Sequence, residues 1–129
     1  MDRLVTEIFF EKPNFEEVSK MAKALDEAGV KSILLPPEDR GINTHMVVEM
    51  DDLEKAREKL KALGANFSEK EVMLLRLENR PGTMAEAAMI ISKKGINLTY
   101  AFSVAMDETH SLVLLGSDNN KAALETLKS

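Results

Sequence analysis

The run Glu78-Asn79-Arg80-Pro81-Gly82-Thr83 gathers residue types suited to holding a small charged molecule. It falls between a strand-like segment and a helix-like one, so Pro81-Gly82 turns the chain at a helix entrance. Such a corner presents backbone N–H groups, and a glycine there lets a small anion approach closely. Gly95-Ile96-Asn97 follows, its glycine fourteen positions after Pro81. This is the chemistry of binding, not of bond-making.

Other constellations are thinner. The chain has no Cys, which excludes disulfides, thiolate metal sites and Cys nucleophiles. His45 and His110 occupy equivalent places, and His110 follows Asp107 and Glu108. Two His with turn carboxylates make a poor ligand set, so no metal is expected, and Asp-Glu-Thr reads as a hairpin turn. Ser111 adjoins His110, and a strand sends neighbouring side chains to opposite faces, which argues against a nucleophile triad. No nucleotide-binding glycine pattern occurs. Glu and Lys over residues 54–61 are a solvated helix face, and the eight Met residues are core filler. No catalytic set and no cofactor are expected.

A chain of 129 residues can bury a sizeable core, and 44% hydrophobic with 30% charged residues is ordinary for a globular protein. Net charge is −5 with no basic block and no Trp, which disfavours nucleic acid as a partner. No apolar run reaches the roughly 20 residues of a membrane span. Met1-Asp2-Arg3-Leu4 reads as the start of a strand and not as a signal peptide. The lack of Cys fits a reducing cytoplasm, the expected location.

The chain repeats itself. Gly29-Val30 returns 66 residues later as Gly95-Ile96, and Asp52 with Lys55-Ala56 returns as Asp118 with Lys121-Ala122. Thr44-His45 returns as Thr109-His110, and Lys12-Pro13-Asn14 as Arg80-Pro81-Gly82. Four matches in one order point to duplication of a single unit. The domains expected are residues 1–69 and 70–129.

Each copy reads β-α-β-β-α. In the first, strands are expected over 3–10, 31–35 and 44–50, with Asn14 and Glu17 spaced as a capping box before the first helix. Gly29 ends that helix, Pro36-Pro37 stops the second strand, and Asp52 caps a helix carrying Leu53, Ala56, Leu60 and Leu63. In the second, strands are expected over 72–78, 98–106 and 110–115, and helices over 84–94 and 119–127, with Thr83 and Glu86 as a second capping box. A fourth strand completes the split β-α-β plan. Residues 66–68 supply a short one for the first copy, whereas the second copy lacks its last strand and leaves a sheet edge to cover. The fold class is therefore α+β: two ferredoxin-like (βαββαβ) units with antiparallel sheets.

Both faces of the second sheet are apolar. Met73, Leu75 and Leu77 alternate with Val72 and Leu74, and Tyr100, Phe102, Val104 and Met106 form a stripe of large residues. Helices of the unit cover one face only, so self-association is expected.

On these residues the stretch from Val72 to Leu127 resembles an ACT domain, a small-molecule-binding regulatory module. Glu78-Asn79-Arg80-Pro81-Gly82 and Gly95-Ile96-Asn97-Leu98 are most similar to the serine-binding version attached to phosphoglycerate dehydrogenase. The first copy, from Leu4 to about Ser68, matches less well, with Asn14 where Gly is usual and Lys31 where Asn is usual. The whole chain looks like a stand-alone tandem-ACT protein.

The resemblance implies an amino acid held between two units, at the first β-to-α loop of one and the second strand of the other. The N–H groups of Gly82, Thr83 and Met84 would meet its carboxylate. Asn79 and Asn97 match the family's side-chain contacts, and an amide can meet ammonium or carboxylate. Arg80, beside Pro81, adds charge, though in this motif it more often points to solvent. If the copies pair within one chain, Asn79 faces Ser32 and Ile33 while Asn97 faces the loop at residues 12–14, including Asn14. The two asparagines then serve different sites, and the Asn79–Gly82 pocket is the better formed. The expected function is an amino-acid-sensing regulator without enzymatic activity, a homo-oligomer acting on a metabolic enzyme or on its own copies. The alternative is a structural interaction module with vestigial pockets.

Overall fold

A computed structural model of the chain describes residues 2–11, 15–35 and 43–128. Two compact units emerge, one of Val5–Lys70 and one of the residues up to Leu4 together with Glu71 onward. The elements are β1 (Arg3–Glu11), α1 (Phe15–Glu27), β2 (Ser32–Leu35), β3 (Asn43–Glu49), a 3-10 turn (Met50–Asp52) and α2 (Leu53–Ala62). There follow β4 (Phe67–Glu78), α3 (Thr83–Lys93), β5 (Leu98–Met106), β6 (His110–Ser117) and α4 (Asn120–Lys128). This is the α+β plan of two ferredoxin-like units with antiparallel pairing.

In the first unit the strand order is β2-β3-β1. Ile8 stands opposite Met46, and Leu34 meets Met46 from the other side. Alternation along the strands puts Ile8, Phe10, Met46 and Val48 on one face, where they pack on Val18 and Leu25 of α1 and Ala56 and Leu60 of α2. Each large side chain so buried contributes about 1.5–3 kcal/mol, which is why amphipathic helices of this length hold here although short isolated helices are marginal in water. Phe67 joins this core, its ring 6.4 Å from that of Phe10. Arg57 of α2 grips Glu69 of β4 at 2.7 and 2.8 Å, which holds the Glu69 carboxyl below its ordinary range. The other face is buried as well, through Val5, Glu7, Leu35, His45 and Val47.

In the second unit the order is β4-β6-β5. Met73, Leu75 and Leu115 pack on Ile91 of α3 and on Ala123 and Leu124 of α4. Leu4 packs against the same cluster, and the Asp2 carboxylate accepts the Arg76 N–H at 2.9 Å. Residues from the start of the chain thus serve the unit that the sequence expects to lack a strand. Asn120 ties α4 to β4 by donating to the Glu71 carbonyl at 2.7 Å.

Three details differ from expectation. The strands expected at 66–68 and 72–78 are one, Phe67–Glu78; Ser68 to Glu71 are exposed, so the charged stretch is solvated strand and not a break. Asp52 makes no side-chain capping bond, because Met50–Asp52 already turn as a 3-10 segment and leave Asp52 in a helical conformation. The stripe on β5 is interrupted: the register skips between Ser103 and Ala105, which makes Val104 the extra residue of a bulge. Met106 then stands opposite Ser111, in line with Leu77, whereas Tyr100 and Phe102 share the other face and stack at 6.5 Å.

Candidate functional site

The corner between β4 and α3 is built by its own backbone demands. Asn79 continues the strand pattern by donating its N–H to the Thr109 carbonyl at 2.8 Å. Its side-chain Nδ2 donates to the Asp107 carbonyl at 2.7 Å, so one of the amide's two N–H groups is spent on the β5–β6 hairpin. Gly82 then takes φ +90°, a left-handed conformation that L side chains avoid. A Cβ built there would meet nothing within 4 Å, so conformation alone demands glycine and the space above it is open. Pro81 is exposed beside it.

The expected capping box does not form. Thr83 is already the first residue of α3, and its hydroxyl donates back to the Arg80 carbonyl at 3.3 Å. The Glu86 N–H donates to the Gly82 carbonyl at 2.8 Å. The Glu86 carboxylate instead receives both guanidinium N–H groups of Arg80 at 3.0 Å, while Arg80 Nε donates to Glu78 at 2.9 Å. A box needs its Ser or Thr at the N-cap, and here glycine occupies that place. The Arg80 bonds hold the Glu86 carboxyl below its ordinary range and push the guanidinium pKa up. Arg80 is thus shared between two carboxylates, and an incoming anion competes with them. Met84 is half-buried against the Met73–Leu75 core.

Asn97 lies elsewhere in the unit. Its N–H donates to Asp118 Oδ1 at 3.1 Å, and the Asp118 N–H returns to its carbonyl at 2.9 Å. Leu98 pairs with Ser117, whereas Glu78 pairs with His110 at the opposite end of the sheet. Some eight strand residues separate those ends, about 25 Å, so one unit does not bring Asn79 and Asn97 together. Ser32 and Ile33 sit in β2, half-buried and opposite Val48 and Val47. Asn14 lies outside the described residues.

Asp107 closes the β5–β6 turn. Its Oδ1 accepts the N–H groups of His110 at 2.7 Å and Thr109 at 2.8 Å, and the Thr109 hydroxyl at 3.1 Å. These bonds, that from His110 first, hold its carboxyl below the ordinary range. Among the described residues no group of three or more His, Cys, Asp or Glu gathers as a metal site. The two histidines differ sharply. His110 is half-buried with Nδ1 3.0 Å from the Thr109 hydroxyl. His45 is 0% exposed, its Nδ1 bonds Glu7 Oε2, and its ring stacks on Phe9 at 5.3 Å. Sequence reasoning missed the Glu7–His45 pair; the available signal was an acid inside the apolar run from Leu4 to Phe10.

The model of the family described as ACT domain pair matches residues 7–128. The chain belongs to the ACT domain pair family. Among solved structures, a protein of Bacteroides thetaiotaomicron superposes with a TM-score of 0.72 at 20% identity, over 99% of this chain and 88% of that one. The ligand-free regulatory subunit of aspartate kinase from Thermus thermophilus gives 0.65 at 15% identity, over 99% and 95% of the two chains. The regulatory subunit of aspartate kinase from Thermus flavus gives 0.61 at 17%, over 98% and 94%. At these identities the likeness is one of fold. No curated protein matches the sequence at a significant level. Among the described residues of this ACT pair no helix is long and apolar enough to cross a membrane.

Proposed function

We propose that this ACT pair is a non-catalytic regulatory protein that binds a free amino acid at the β4–α3 corner. Binding changes how it engages a metabolic enzyme or further copies of itself in a homo-oligomer. The observation that carries this reading is the left-handed Gly82 under open space at a helix entrance, within a chain of this family. The ligand carboxylate takes the N–H groups of Gly82 and Met84, and that of Thr83 in exchange for its long 3.5 Å bond to the Arg80 carbonyl, where the helix dipole also favours negative charge. The ammonium meets the Asn79 carbonyl oxygen and the negative balance of Glu78 and Glu86 over Arg80. Regulatory subunits of aspartate kinase among the structural neighbours support the same class of role.

Thermal unfolding with each of the twenty amino acids tests it. At a hundredfold excess over Kd a ligand adds about 2.7 kcal/mol, several degrees in Tm. A rise that vanishes in Asn79→Ala supports the sensor. A flat response to every compound overturns it and leaves the interaction module.

A further inference from the structure

The two units repeat one strand register and fill it with opposite charges. In the first, His45 stands opposite Phe9 and Val47 opposite Glu7, which makes Glu7 and His45 diagonal neighbours on the face away from the helices. Their polar tips meet in a hydrogen bond. In the second, His110 stands opposite Glu78 and Leu112 opposite Arg76. Arg76 therefore holds the place of Glu7, and His110 that of His45. Diagonal pairs on adjacent strands lie within reach of long side chains, and the first unit shows the contact made. An arginine cannot stand in for the carboxylate as acceptor of an imidazole N–H. Both groups line an open hollow of about 270 Å³ beside the β5–β6 hairpin.

We propose that this hollow binds a small aliphatic carboxylate, whose anionic end takes the position that Glu7 fills in the first unit. The neighbouring protein carboxylates are committed: Asp2 to the Arg76 main-chain N–H, Glu78 to Arg80 Nε, and Asp107 to the Thr109 and His110 N–H groups. Among the described residues no carboxylate bonds the Arg76 guanidinium. Leu112 and Ala105 face each other across β6 and β5 to form an apolar floor. Inorganic phosphate would satisfy Arg76 but leave that floor wet. A short branched aliphatic acid covers both, its carboxylate on Arg76 and its hydrocarbon on Leu112 and Ala105. The site is separate from the β4–α3 corner, and its ligand needs no amino group.

The test is an NMR titration of the full chain with 3-methylbutanoate, read at Ala105, Leu112 and His110. Saturable shifts are expected at all three. Arg76→Gln is expected to weaken binding about tenfold or more, the effect of losing a charged hydrogen-bond partner. Arg76→Glu is expected to abolish binding in a folded protein, because it sets a like charge where the ligand carboxylate would sit. Gly82→Ala is expected to leave the titration unchanged. Affinity insensitive to Arg76→Gln, equal binding of inorganic phosphate or 3-methylbutan-1-ol, or loss in Gly82→Ala would each overturn the proposal. The probe is not an amino acid, so a flat amino-acid screen leaves this result standing.

Discussion

Val5–Lys70 and the unit built from Glu71 onward share strand register and helix order, yet treat the helix-free face of the sheet differently. In the first, Glu7 and His45 are both 0% exposed and bonded to one another. In the second, the matching positions carry Arg76 and His110 around an open hollow. A buried polar side chain must find its partner inside the protein, because leaving it unsatisfied costs about 1–3 kcal/mol. An exposed cation is solvated and can take a partner from outside. Duplication has copied the geometry and left the chemistry free to diverge.

His45→Ala probes that contrast with the largest expected effect. It removes a fully buried ring together with its bond to Glu7, at a cost of about 3–5 kcal/mol in urea unfolding. The counterpart His110→Ala is expected within about 0.5 kcal/mol of the parent protein. Equal losses at the two positions would break the comparison.

Gly82→Ala comes next. No atom crowds the position, so the cost is conformational strain alone, about 1–2 kcal/mol. A much larger loss of Tm would mean that the corner is packed and not open.

Acidification sharpens the contrast at smaller amplitude. Asp107 has a folded pKa below its ordinary value, so its contribution is complete above the ordinary aspartate range and lost as pH falls through the depressed value. Amide exchange at Thr109 and His110 is expected to stay slow past the pH at which a free aspartate titrates. Exchange that accelerates already at the ordinary range would contradict the geometry. The least effect is expected of Arg80→Ala. Its pairs with Glu78 and Glu86 are exposed and screened by salt, and Tm at physiological ionic strength should hardly move.

Much of this could be read from the amino acids. Apolar periodicity located the four α-helices and the strands other than the charged first half of β4, because each packs one face on a core and the pattern follows. The repeat gave the two-unit plan, and Pro81-Gly82 gave the corner. What escaped depends on register or on single backbone angles. The bulge at Val104 reverses which face Met106 takes, and alternation alone cannot show a skipped residue. The strands expected over 66–68 and 72–78 leave out Glu69-Lys70-Glu71, which belong to the one strand Phe67–Glu78, because an exposed strand carries charge easily. Thr83 and Glu86 had the spacing of a capping box, but Gly82 took the N-cap and Arg80 claimed the acid. Glu7 and His45 lie 38 residues apart and meet only through the pairing of β1 with β3.

Asp2 and Arg76 are joined across 74 residues of chain. A ribosome adding about 5–20 residues per second delivers the second partner some 4–15 s after the first. Through that interval Asp2 and Leu4 have emerged but have nothing to dock on, while Val5 onward can already collapse around α1 and α2. Asp2 and Leu4 therefore wait on residues made much later, and a substitution at either should disturb the unit from Glu71 onward more than the unit that follows them directly in the chain.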